Sequence, residues 1–288
     1  MGENSSSVLE NRESFELIRG SSPLIVSLPH NGVEIPNDLK SVMSDAALSS
    51  IDSDWFMREL YVPITKRFDG SLISPRYSRY VIDLNRPKND LSLYPGQTTT
   101  GLCPTERFDG QVLYRPGHEP DQAEKDRRLA KYWCPYHHAL QAELTRLVTK
   151  HGYVLLWEGH SIKSIVPRLF SGQLPDLNIG TNDGMSCDPS IAFRLRESLL
   201  NQEQNSRGKG YTSVVNGRFK GGYITREYGM PSEGVHAVQL ELSQSTYLAN
   251  EEHPSWNRDD ATEISLVIED LIKVSLEALM DNLDSLGP

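Results

Sequence analysis

Four short apolar runs in this chain stop at polar residues with chemical capacity. Leu24-Ile25-Val26-Ser27-Leu28-Pro29 is followed by His30, and Tyr80-Val81-Ile82 by Asp83-Leu84-Asn85-Arg86. Tyr153-Val154-Leu155-Leu156-Trp157 is followed by Glu158-Gly159-His160, and Glu241 stands inside Val238-Gln239-Leu240-Glu241-Leu242. Runs of this length predict buried strands. In open α/β sheets, ligands bind outside the carboxyl ends of the strands, so these imidazoles, carboxylates and the guanidinium are expected to converge on one pocket.

The rest of the pattern alternates helix and strand. A helix is predicted over 54–68, where Trp55, Leu60, Tyr61 and Ile64 share a face, and a strand at Leu72-Ile73. Residues 88–117 carry many Pro, Gly and Thr and little periodicity, which marks a long connection serving as a lid or wall. Over 121–150, Leu129, Tyr132, Trp133, Tyr136, Leu140, Leu144, Leu147 and Val148 recur at three- and four-residue spacings, predicting an amphipathic helix kinked at Pro135. Its aromatic stripe reads as core. A helix over 190–201, strands over 211–215 and 236–242 and a helix over 261–280 complete the order. Residues 1–19 read as a flexible tail ending in a short edge strand at Phe15-Glu16-Leu17-Ile18, and no linker divides 20–288. The expectation is one catalytic domain in a three-layer αβα fold with a mixed, mainly parallel sheet.

Composition narrows the function. The 288 residues are 38% hydrophobic, enough for a large core, and the net charge of -10 argues against a nucleic-acid or membrane surface. Cys103, Cys134 and Cys187 are odd in number and widely spaced, which suits reduced thiols in the cytoplasm. No apolar stretch approaches the roughly 18 to 20 residues of a membrane span, and the first twenty residues lack a signal-peptide core.

Among the polar residues, His30 in Pro29-His30-Asn31-Gly32 and His160 in Glu158-Gly159-His160-Ser161 occupy equivalent strand-end positions. Two histidines and a carboxylate form a known zinc set that leaves a position open for water. By spacing, the carboxylate is Glu34, Asp52, Asp54 or Glu158, and the Asp52-Ser53-Asp54 pair is equally placed to cap the following helix. Arg86 with Asn85 is a candidate anchor for a substrate carboxylate, the alternative being a structural pair of Arg86 with Asp83. Arg79 is a candidate for polarising a carbonyl. Strand alternation puts Gln239, Glu241 and Ser243 on one side and Val238, Leu240 and Leu242 on the other, so Glu241 is aimed as a base. Arg218 to Arg226 form a basic, glycine-containing segment, either a substrate-closing loop or a solvated hairpin. His118, His137 and His138 read as structural; Asp176, Asp183 and Asp188 read as rim residues. There is no Gly-x-Ser-x-Gly elbow.

Taken together, SLPHNGVEIP, DSDWFMRELY, SRYVIDLNRP, WEGHSI, GRFKGGYITREYG and HAVQLELSQ, in this order over roughly Ser21 to Tyr247, resemble the N-formylglutamate amidohydrolase family. That family is a branch of the zinc-carboxypeptidase-like superfamily that includes aspartoacylases. The resemblance implies a phosphorylase/hydrolase-like fold and zinc-dependent hydrolysis of N-formyl-L-glutamate to formate and L-glutamate in histidine degradation. It implies one zinc per chain on His30 and His160, Glu241 as general base, Arg79 as polariser, and Asn85 and Arg86 on a substrate carboxylate, with Arg218 or Arg226 assisting. The superfamily's His-x-x-Glu is broken here, because Val33 stands three residues after His30. The resemblance therefore makes Asp54, in Asp-x-Asp-Trp, the third ligand. The expected partner is a small N-acyl amino acid bearing carboxylates, with no nucleic acid or membrane. The alternatives are a zinc amidohydrolase or peptidase-like enzyme for another N-acyl amino acid, and a silent anion-binding protein. Retention of both histidines with Glu241 speaks against the last.

Overall fold

In the computed structural model, residues 8–11, 13–92, 96, 99–204 and 210–286 are described, those at 8–11, 202–204 and 282–286 by backbone alone. Eight strands form one sheet: β1 Val8–Asn11, β2 Phe15–Arg19, β3 Leu24–Ser27, β4 Ser71–Pro75, β5 Val154–Ile162, β6 Leu177–Gly180, β7 Ser213–Val215 and β8 Val235–Ser243. Their order is β1-β2-β4-β3-β5-β8-β6-β7. The centre β4-β3-β5-β8 is parallel, while β2 joins β4 and β6 joins β8 antiparallel. The mixed, mainly parallel α/β sheet is as expected.

The helices are α1 Asn37–Lys40, α2 Asp45–Leu48, α3 Met57–Arg67, α4 Gln122–Arg128, α5 Cys134–His151, α6 Pro189–Gln204, α7 Tyr223–Tyr228 and α8 Arg258–Leu286. Strand alternation divides the core into two layers. Leu155, Trp157, Val238, Leu240 and Leu242 pack with Leu60 and Ile64 of α3, Ile191 and Leu195 of α6, and Ile264 and Ile268 of α8. Val154, Leu156 and Ala237 pack on the opposite face with Tyr136, Leu140, Leu144 and Leu147 of α5. Each fully buried Leu or Ile of this kind contributes about 1.5–3 kcal/mol. On that second face the next positions in register are Glu158, His160, Gln239 and Glu241, with His160 paired to Glu241 across β5 and β8. The sheet thus exchanges its apolar lining for a polar one at its carboxyl edge. Among the described residues, no helix is long and apolar enough to cross a membrane.

Several expectations are corrected. Phe15 and Leu17 are buried in β2, which lies between β1 and β4, so the segment 1–19 is not wholly a loose tail and β2 is not an edge; residues 1–7 and 12 lie outside the described residues. Tyr80-Val81-Ile82 is buried but forms a turn, with Val81 N–H donating to Ser78 O (2.9 Å) instead of a strand partner. β5 runs on to Ile162, so Glu158 and His160 belong to the strand itself. β6 and α7 were missed. The 121–150 helix is broken as anticipated, by a π-helical stretch Leu129–Trp133 with Pro135 in the first turn of α5. There Pro135 has no N–H to lose from the ladder. The segment 88–117 holds no helix or named strand among its described residues.

Candidate active site

Parallel pairing brings the carboxyl ends of β3, β4, β5 and β8 to one side. The turn after β3 carries His30, the chain beyond β4 carries Arg79, and the strand ends themselves carry His160 and Glu241. Asp54 precedes α3, and its N–H donates to His30 O (2.9 Å), tying the two loops. Phe56, in the left-handed region at φ 61°, opens α3 without a side-chain cap, so Asp54 does not cap this helix.

His30, Asp54 and His160 each offer a ligand atom within 4.8 Å of one another, and all three are buried. Both imidazoles are oriented from behind. Asp83 Oδ1 accepts from His30 Nε2 at 2.6 Å, and Glu158 Oε1 accepts from His160 Nε2 at 2.7 Å. A histidine that gives its far N–H to a carboxylate is fixed in tautomer and made a better donor at its other nitrogen. Asp83 is held in turn by Arg79 Nη2 (2.8 Å) and the Asn85 N–H (2.9 Å), and Glu158 by the Thr225 N–H (3.1 Å) and hydroxyl. Asp54 Oδ2 accepts from the Ser161 N–H at 3.1 Å and lies 3.1 Å from His160 Nδ1.

The protonation pattern follows from these neighbours. Burial, aided by the Arg79 charge, lowers the His30 pKa against the pull of Asp83, leaving a neutral imidazole with a free lone pair on Nδ1. Burial also works against a charged His160, but the Glu158 and Asp54 carboxylates overcome it and raise its pKa well above the ordinary value. His160 therefore needs a positive charge between Nδ1 and Asp54, a proton or a metal cation. Burial would raise the Asp83 carboxyl, yet His30 and Arg79 hold it well below the usual carboxylate range. Glu241 is pushed up to about 8 by burial, with Asp54 and Glu158 adding to the shift and His160 and Arg79 opposing it. The residues present suit a divalent cation: two imidazole nitrogens and one carboxylate oxygen, both imidazoles preset.

In front of this cluster lies an open cleft of about 650 Å³ lined by His30, Arg79, Asn85, Arg86, His160, Arg218, Gln239 and Glu241, with Phe108, Leu169 and Phe219 as an apolar wall. Arg79 lies under the Phe108 ring, its guanidinium carbon 4.9 Å from the ring centroid. Arg86 bonds Thr100 Oγ1 weakly (3.3 Å), stands 3.6 Å from Asp83, and its buried Nε has no hydrogen-bond partner. The alternative reading, a structural Arg86–Asp83 pair, is met only by the looser of two contacts, since Arg79 takes the closer one. Arg218 donates from Nε to Leu169 O (3.0 Å) at the rim.

Of the site residues predicted from sequence, Asp54 and Arg226 do not line the cleft: Asp54 lies behind it against His160 and the Ser161 N–H, and Arg226 sits on α7, its Nε turned back to Gly221 O (2.8 Å). Glu34 is exposed and paired with Arg76, while Asp52 faces away, accepting from the Phe108 N–H (2.8 Å). His137 is structural as expected, stacked on Trp133. Sequence reasoning missed Thr225, Phe108 and the role of Glu158 behind His160. The Glu158-x-His160 spacing on one strand face carried that last signal; Phe108 had none.

A family model described as N-formylglutamate amidohydrolase matches residues 22–248. An N-formylglutamate deformylase of Pseudomonas aeruginosa is 45% identical over 268 residues, 93% of this chain and 96% of the relative. Another from Pseudomonas putida is 43% identical over 90% of this chain and 94% of its own length. The crystal structure of N-formylglutamate amidohydrolase from Ralstonia eutropha JMP134 superposes with a TM-score of 0.74 at 24% identity, covering 91% of this chain and 97% of that one, and shares the fold.

Proposed function

The chain belongs to the N-formylglutamate amidohydrolase family, and we propose from that premise that it hydrolyses N-formyl-L-glutamate to formate and L-glutamate, a step of histidine breakdown. His30, Asp54 and His160 would hold one zinc ion. Bound there, zinc would supply Lewis acidity and lower the pKa of a water molecule toward about 7.

The chain's own groups do the rest. Glu241, register neighbour of His160, takes a proton from the water as its oxygen adds to the formyl carbon. It returns that proton to the amine nitrogen as the C–N bond breaks. Arg79, pinned by Asp83 on one N–H, has further donors for the developing oxyanion. Arg86 and Arg218, with Asn85, hold the substrate carboxylates, and the Phe108, Leu169 and Phe219 wall excludes water. Most binding energy then comes from the amino-acid part, as a formyl group offers few atoms to grip. Residues 20–288 act as one catalytic domain, with β2 completing its sheet. The three free cysteines suit the cytoplasm.

What supports this reading most is the pair of imidazoles, each backed by a buried carboxylate, facing Asp54 beside a buried glutamate of raised pKa. Metal analysis by plasma mass spectrometry, joined to a formate-release assay before and after chelation, tests it. About one zinc per chain and chelator-sensitive release from N-formyl-L-glutamate are expected. A zinc-loaded protein that releases no formate from this substrate would refute it.

A further inference from the structure

Two side-chain amides line the cleft, and their surroundings differ. Asn85 is packed against the protein on both sides: its Oδ1 accepts from the Ile224 N–H (2.8 Å), and its Nδ2 stands 3.0 Å from His160 Nε2, a nitrogen that already donates to Glu158, so its N–H capacity is left for the cleft. Behind it, a Cβ on Gly222 would stand 2.3 Å from Nδ2, so only glycine permits this approach. Gln239 is held on one side alone. Its Oε1 accepts from the Gly222 N–H at 2.6 Å, and a backbone N–H can only donate, so the orientation of this amide is fixed by chemistry. Its Nε2 therefore turns the other way, onto the cleft, and has no acceptor among the described residues.

Gln239 is 4% exposed and lies on the Glu241 face of β8, paired in register with Glu158. With the rest of the side chain buried, the NH2 group opens onto the cleft alone, so a ligand oxygen entering the cleft meets a donor already oriented toward it. The neighbouring cleft cations Arg86 and Arg218 select for an anion, whose oxygens are acceptors. We infer that Gln239 is a substrate-binding residue, donating from Nε2 to a carboxylate oxygen of the bound acyl amino acid. This deepens the formylglutamate reading and rests on it for the identity of the substrate. It also moves to Gln239 part of the amide role that the sequence pattern gives to Asn85.

Two variants of the zinc-loaded full chain test it. Gln239→Glu keeps an acceptor for the Gly222 N–H and replaces the donor facing the cleft; Gln239→Met removes both while keeping length. The KM for N-formyl-L-glutamate is expected to rise about tenfold or more in each, a lost hydrogen bond to a charged group. The Kd for L-glutamate, read by calorimetric titration, rises in parallel, and metal content stays at the wild-type value. Unchanged KM and Kd in Gln239→Glu would overturn the inference, as would a fall in kcat at constant KM. Failure of the wild-type protein to release formate would instead count against the formamidase reading, and the L-glutamate titration would still decide the role of Gln239.

Discussion

Glu241 is held 8% exposed beside a cluster of charges, and burial pushes its carboxyl up to about 8. A general base works best when its pKa lies near the working pH, and this one is placed to accept a proton and give it back. Glu241→Gln is expected to lower formate release by about 10²- to 10⁴-fold. Zinc stoichiometry by mass spectrometry stays as in the unaltered protein, because the three convergent ligand atoms belong to other residues. Loss of zinc from that variant would make Glu241 a ligand. At this scale the chain was readable where a polar residue interrupts an apolar run, which is how His30, His160 and Glu241 stood out. The third proposed ligand was not separable by spacing, since Glu34, Asp52 and Asp54 differ only in what they face: Arg76, the Phe108 N–H and His160 respectively. Those partners are tertiary. Gln239 was legible as facing with Glu241, but the Gly222 N–H that turns its amide was not.

The element that carries the proposed carboxylate anchor is the turn with Asp83, Asn85 and Arg86. An apolar run reports burial and not hydrogen-bond pattern, which is why Tyr80-Val81-Ile82 reads as a strand and folds as a turn. Its carbonyls are satisfied by the broken helix instead: Arg128 Nη1 donates to Val81 O (2.9 Å), Trp133 Nε1 to Arg86 O (2.9 Å) and His137 Nε2 to Leu84 O (2.8 Å). With Nε2 donating to a carbonyl, the neutral ring accepts at Nδ1 from the Tyr228 hydroxyl (2.8 Å). Burial, helped by nearby Lys88 and His138, lowers the His137 pKa to about 3 against the favourable Leu84 carbonyl. The unfolded chain takes up a proton on this ring below about pH 6.5 and the folded chain does not, so stability falls as pH drops through that window toward 3. The loss from this one residue is about 2 kcal/mol by pH 5. Urea unfolding at pH 7 and pH 5 checks it: His137→Gln should lose less stability across that step than the unaltered chain. An equal loss in both would remove His137 from the acid response.

Across the whole molecule, the sheet's carboxyl edge gathers residues from four distant stretches of an acidic chain and surrounds them with arginines. A net charge of -10 coexists with Arg79, Arg86 and Arg218 in one cleft, so global charge speaks against polyanionic partners while the local field favours a small dianion. The layers and the order of most helices followed from periodicity; β6 and α7 did not, since short elements packed by tertiary contacts leave little periodic trace. The three proposed ligands come from the β3 turn, the α3 approach and β5, positions 30, 54 and 160. An ion bound there links the native arrangement of all three and has no matching site in the unfolded chain. Zinc at about a hundred times its dissociation constant then adds about 2.7 kcal/mol to folding. For a chain of 288 residues that is roughly 4 to 5 °C in melting temperature. Chelation followed by differential scanning calorimetry should show a fall of this order, reversed by added zinc. Asp54→Asn should melt near the chelated protein and respond little to chelator. If removing the metal left the unaltered chain's melting temperature in place, the three segments would be held by the Asp83 and Glu158 hydrogen bonds alone, and the ion would carry chemistry without carrying stability.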